Sequence, residues 1–174
     1  MIKYFFTLAF ICVFAFSSRA QISNSVSLGG GVAYPPFEHI YNAGWYSSLH
    51  WNVGVGRSSL IDTHLSLIKI GVKDYPVGPG TGNTDALYQL GVGFRQYFSR
   101  QLFARAGLAA SLIDQGEQTI KLTPNAGIGY DLFVTEKQSV ELSLQGDFFK
   151  NNRYFNSSKY ISVLSLGIAY KFWY

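Results

Sequence analysis

From Leu164 to the last residue, Leu164, Leu166, Ile168, Tyr170, Phe172 and Tyr174 occupy every second position, with Ser165, Gly167, Ala169 and Lys171 between them. Successive side chains of an extended strand point to opposite faces. This stretch therefore makes a strand with one greasy face and one small or charged face. The same period-two pattern recurs along the chain, and helical i, i+3, i+4 spacing is scarce. It predicts eight strands, near 22–34, 45–56, 59–73, 86–98, 101–113, 120–134, 138–149 and 160–173. The fold class is all-β.

The connections alternate in length. Arg57-Ser58, Ser99-Arg100 and Thr135-Glu136-Lys137 are short, whereas 35–44, 74–85, 114–119 and 150–159 are long. That rhythm describes an antiparallel up-and-down meander whose two ends differ. An even number of strands puts both ends of the barrel sequence on the short-turn side.

Residues 1–20 stand apart as an expected secretory leader. Lys3 gives a positive start, Tyr4 to Phe16 is apolar, and Ser18-Arg19-Ala20 offers a small-x-small cleavage site. About 13 apolar residues are too few to span a bilayer as a helix. The mature domain is then 21–174. Cys12, the single cysteine, falls inside the leader, so disulfides and thiolate metal sites are excluded from the domain. Removing Lys3 and Arg19 takes the formal charge from +4 to +2, which gives no ground for a nucleic-acid partner.

Alternation fits a soluble lipocalin-like carrier as well as a membrane barrel, and the polar face separates them. Tyr88, Leu90, Val92, Phe94 and Phe98 oppose Gln89, Gly91, Gly93, Arg95 and Tyr97. Val140, Leu142, Leu144 and Phe148 oppose Glu141, Ser143, Gln145 and Asp147. Glycine at every second position covers nothing and weakens a strand, so a face that mixes glycine, serine and isolated charges suits a cramped interior. Aromatics gather at both ends of the apolar face. Tyr34, Trp45, Tyr88, Phe148 and Tyr160 lie toward the long loops, and Phe94, Phe98, Phe172 and Tyr174 toward the short turns. Two such girdles mark the headgroup levels of a transmembrane β-barrel. The expected architecture is an eight-stranded antiparallel up-and-down transmembrane β-barrel with short periplasmic turns and longer extracellular loops.

The leader, eight alternating strands and aromatic last residue resemble the small bacterial outer-membrane β-barrels of the OmpX and OmpA-barrel type. The resemblance covers the whole mature chain and rests on pattern. It implies residence in the bacterial outer membrane among its lipids, and the chain is expected to be a monomer without enzymatic activity. It also implies that Leu166, Ile168, Tyr170, Phe172 and Tyr174 form the terminal-strand signal read by the barrel-assembly machinery.

Eight strands enclose just enough room for side chains to fill, which argues against a general pore. Six ionisable residues reach similar depth from the short turns: Asp62, Arg95, Arg105, Asp131, Glu141 and Lys171. Charges removed from water persist when paired, so these are expected to form one interior network near the periplasmic end. The strand near 59–73 carries Ile61, Leu65 and Leu67 on one face but Ile68, Ile70 and Val72 on the other. A bulge near Leu67-Ile68 would return both sets to lipid and turn Lys69 inward. Without it, Lys69 snorkels outward.

Chemistry has one alternative carrier. His64-Leu65-Ser66, with Asp62 on the same face, is similar to the His-x-Ser pair of lipid A deacylase barrels. There the pair lies near the chain's end, whereas here the late segment 146–152 holds neither His nor Ser. A hydrolase would need Ser66 as nucleophile, His64 as base and Asp62 to orient it. His50 and Asn52 are expected to line the interior, and His39 to be solvated. The Gly-x-Gly pairs at 29–31, 54–56, 91–93 and 127–129 open no helix and read as inward room-makers. No cofactor and no metal is implied. Recognition is left to the long loops. Lys150, Arg153, Tyr154 and Lys159 are candidate lipopolysaccharide contacts, and Phe37 and Tyr41 are candidates for a partner.

Overall fold

The computed structural model describes residues 24–37, 41–72, 84–114, 119–151 and 159–174. The expected leader, residues 1–20, and His39 lie outside them. Eight strands follow in chain order: β1 (Ser25–Tyr34), β2 (Tyr41–Gly54), β3 (Ser59–Val72), β4 (Thr84–Tyr97), β5 (Leu102–Asp114), β6 (Thr119–Thr135), β7 (Gln138–Asn151) and β8 (Lys159–Trp173). Each pairs antiparallel with the next, and β8 returns to β1, so the sheet is a closed barrel without edges. Closure satisfies backbone polar groups within the wall, which is what a strand needs where no water is present.

Three expectations change. β2 begins at Tyr41, four residues earlier than the alternation suggested, because a register shift between Asn42 and Trp45 absorbs the extra backbone around Gly44. Tyr41 is consequently no loop residue. It is 2 % exposed and packs inside the barrel. The strand-three bulge is absent: β3 pairs without a shift through Ser66, Leu67, Ile68 and Lys69 with both β2 and β4. Ile68 and Ile70 therefore point inward and are buried, while Lys69 stays half-buried on the outward side with Leu65 and Leu67. Finally, Gly54 closes β2 and exposed Gly56 belongs to the turn, so that pair makes no room in the lumen.

The outer wall is apolar. Leu28, Leu49, Leu65, Leu90, Val92, Leu108, Ile128, Leu144, Leu166 and Ile168 are all exposed on it. Tyr34, Trp45, Tyr88 and Phe148 ring its loop end, and Phe94, Phe98, Phe172 and Tyr174 its turn end. Tyr160's side chain lies outside the described residues. Trp51 Nε1 donates to Tyr174 Oη at 2.8 Å, and the Tyr174 amide donates to Asn24 O at 2.8 Å, so the terminal aromatic is pinned beside the β1–β8 seam.

The lumen is layered. At the loop end Ala33, Tyr41, Tyr46, Ile68, Ile70, Leu87 and Val163 form an apolar cap. At the turn end Leu60, Tyr97 and Phe103 form a second, with Trp173 against it. Polar and charged side chains fill the space between. Inward glycines are slots for large opposing groups: a Cβ on Gly129 would meet the Phe103 ring, one on Gly91 the His64 ring, and one on Gly167 the Tyr46 phenol. A water-soluble carrier has the opposite distribution, with its apolar face inside.

Candidate functional site

The charged middle layer is built by alternation on six strands. Asp62 comes from β3, Arg95 from β4, Arg105 from β5, Asp131 from β6, Glu141 from β7 and Lys171 from β8, all buried. Register decides how they meet. Arg95 lies directly opposite Arg105, and Asp131 directly opposite Glu141. Like charges facing each other along the wall repel, so compensation comes from diagonal positions on neighbouring strands and from across the lumen.

Arg95 reaches over β5 and β6 to donate from Nη1 to Glu141 Oε2 at 2.7 Å, and from Nη2 to Asp62 Oδ2 at 2.9 Å. Lys171 Nζ lies 2.7 Å from the same Glu141 oxygen and donates to both oxygens of Asp131, at 2.7 and 2.9 Å. The chain of contacts thus runs Asp131, Lys171, Glu141, Arg95, Asp62. Arg105 joins at its end, with Nη1 3.8 Å from Asp62 Oδ2 and 3.3 Å from both ring nitrogens of His50. All six residues singled out in the sequence are in this layer.

Three further members complete it. His50 Nδ1 is 2.8 Å from Asp62 Oδ1, and the His64 ring lies beside it at a centroid distance of 5.4 Å. Tyr97 donates to Asp131 Oδ2 at 2.5 Å and accepts from Lys171 at 3.2 Å. The signal for Tyr97 was its inward parity with Arg95, but parity alone names no partner. Phe103 completes the seal, with the Arg95 guanidinium 4.2 Å above its ring and Lys171 Nζ at 5.2 Å.

The structure does not assemble the hydrolase alternative. Ser66 donates to Gln89 Oε1 at 2.7 Å, and among the described residues no hydrogen bond joins it to His64. Asp62 is committed to Arg95 and His50, with His64 Nδ1 3.9 Å away. A serine whose proton already goes to an amide, beside an unattached imidazole, lacks the base that nucleophilic attack requires.

His50, Asp62 and His64 each offer one donor atom, all within 4.8 Å of one another. Two guanidinium groups already sit on that carboxylate, however, and a divalent cation placed among them would be repelled. The donor set is arranged as an ion-pair cluster.

Of the loop candidates, Phe37 is exposed at 73 %, while Tyr41 is buried as described above. Lys150 and Lys159 fall at the ends of β7 and β8, and their side chains, with Arg153 and Tyr154, lie outside the described residues.

No protein-family profile matches the sequence, and no curated protein does. Solved structures do match. Neisserial surface protein A (NspA) superposes with a TM-score of 0.60 at 12% identity, covering 87% of this chain and 96% of that one. The outer membrane protein OprG from Pseudomonas aeruginosa gives 0.57 at 10% identity, covering 89% and 98%. The Yersinia pestis outer membrane protein Ail, in a phospholipid bilayer nanodisc, gives 0.52 at 12% identity, covering 86% and 99%. At such identities the similarity speaks to architecture, and the chain has the fold of the small eight-stranded outer-membrane β-barrels.

Proposed function

We propose that this chain is a non-enzymatic barrel of the bacterial outer membrane whose work is structural or surface-interactive. It would reach that membrane through a cleaved leader, residues 1–20, and insert as a monomer among outer-membrane lipids. The observation that carries this reading is the lumen: a neutralised ion-pair layer closed above and below by apolar side chains. A barrel filled in this way offers rigidity and a surface, and no aqueous path. Its terminal strand, with Leu166, Ile168, Tyr170, Phe172 and Tyr174, would be the address read by the barrel-assembly machinery. Phe37 and the loop around Lys150, Arg153, Tyr154 and Lys159 supply the recognition surface, with lipopolysaccharide phosphates as one partner for those cations.

Planar-bilayer recording tests the sealed lumen. The purified, refolded barrel is expected to add no steady ohmic conductance. Reproducible unitary steps from the wild-type chain would contradict the reading.

A further inference from the structure

Among the described side chains, Lys69 is the one charged group on the outward face of a strand. It stands half-buried on β3, Cα-paired with Trp45 on β2 and with Ala86 on β4. Among the described residues no carboxylate lies within ion-pair distance of it. Ala86 is too short to cover an ammonium. Trp45 and Tyr88 belong to the loop-end aromatic girdle, so Lys69 sits where hydrocarbon gives way to headgroups. There its stem can lie on the wall while the charge reaches toward water. What it lacks is an anion.

Directly below it, toward the short turns, the wall is indented. Ser47, Leu67 and Tyr88 form one registered row across β2, β3 and β4, two positions beneath Trp45, Lys69 and Ala86. Ser47 is the small member of that row, and the leucines around it stand out from the wall. The result is a groove of about 330 Å³, floored by Ser47 and walled by Leu28, Leu49, Leu65, Leu67 and Tyr88. That is the lower end of the range for ligand clefts, room for one alkyl chain and not for several.

Groove and cation select the same kind of ligand. Inside a bilayer an apolar fit alone discriminates little, because lipid tails are as apolar as leucine. Lys69 adds a single positive charge at the level of the heads, and that favours one anion. A lipid of two or more chains overfills the groove, and among the described residues a second negative charge finds no second cation on this wall. We propose that the β1–β4 face of the barrel binds a single-chain carboxylate. The tail of this fatty-acid anion lies over Ser47 between the leucines, and its head pairs with Lys69. The proposal rests on the membrane placement of the wall.

Native mass spectrometry of the barrel released from non-ionic detergent tests it, with dodecanoate, dodecanol and dodecyltrimethylammonium as probes. One saturable adduct is expected for dodecanoate. Dodecanol should be held about fivefold more weakly, the attraction one interfacial cation exerts on one anion, and the cationic amphiphile more weakly still. Lys69→Gln should bring dodecanoate down to the level of dodecanol, whereas Lys69→Arg should keep the preference. Ser47→Leu fills the groove and should weaken dodecanoate by a similar factor. Ala126→Leu, the same kind of enlargement on the exposed face of β6, should change nothing. Equal retention of dodecanoate and dodecanol, no loss in Lys69→Gln or Ser47→Leu, or an equal loss in Ala126→Leu would overturn the proposal. So would tighter single-site retention of phosphatidylglycerol, or a dimer that Ser47→Leu dissociates, since each gives the groove a different occupant. A chain that dissolves without detergent overturns the membrane placement as well, whereas one that inserts and shows no preference for the anion overturns this inference alone.

Discussion

Arg95→Met is expected to lower the unfolding free energy of the refolded barrel by about 3–5 kcal/mol, the range for breaking a buried ion pair from one side. Arg95 is fully buried and bridges two carboxylates, Glu141 at 2.7 Å and Asp62 at 2.9 Å. Methionine fills similar space and leaves both acids short of a cation inside the wall. Among the described residues Glu141 then retains Lys171 alone, which Asp131 also claims. The double variant Arg95→Met/Glu141→Gln should recover much of the loss, because the unpaired charge rather than the missing bond is the larger cost. Urea titration of all three proteins in detergent measures this. A single variant within about 0.5 kcal/mol of wild type, the range of ordinary surface changes, would dissolve the idea of a coupled network.

Phe103→Ala should be comparably severe, at about 3–5 kcal/mol for emptying a fully buried aromatic site. Phe103 seats in the slot left by Gly129, touches Tyr97 at a ring separation of 5.3 Å and lies under the Arg95 guanidinium. Its removal opens a cavity at the turn end and strips two cations of their π partner. Phe103→Leu, which keeps most of the volume, should cost clearly less. Thermal melting separates the two, and an Ala variant that melts with wild type would show that the lower seal does not hold the charged layer in position.

Much of this fold is written in a two-residue period. Where strands alternate, inside and outside follow at once, which is why Leu90 and Gln89 or Leu142 and Glu141 are assigned correctly without coordinates. Depth along the strands also gathers the six ionisable residues into one layer. Partners do not follow from depth. Register sets Arg95 against Arg105 and Asp131 against Glu141, so the productive contacts run diagonally to a neighbouring strand, as in Arg95–Asp62 and Lys171–Glu141, or across the lumen, as in Arg95–Glu141, and nothing in the one-dimensional pattern says which arm reaches which acid.

The equation of apolar with outward is what misled for Ile68 and Ile70. A filled barrel must also close its ends, and at the loop end that task falls to aliphatic and aromatic side chains facing in. Tyr41 was hidden differently. Pro35-Pro36 and Gly44 read as loop, whereas the chain resumes strand between them and spends its irregularity in a local shift. His50 was legible as inward, but its bond to Asp62 was not.

Everything above depends on which side of the cylinder meets hydrocarbon, and nitroxide accessibility measures that directly. The sequence after residue 20 has no cysteine, so single spin labels can be attached at Leu90, Val92 and Ile128, with turn residue Glu136 as the aqueous reference. In vesicles, the account predicts that the first three are reached readily by dissolved oxygen and poorly by a water-soluble nickel chelate, while Glu136 is reached by the chelate. Chelate access at Leu90, Val92 and Ile128 equal to that at Glu136, or shielding of all three from both reagents, would contradict it.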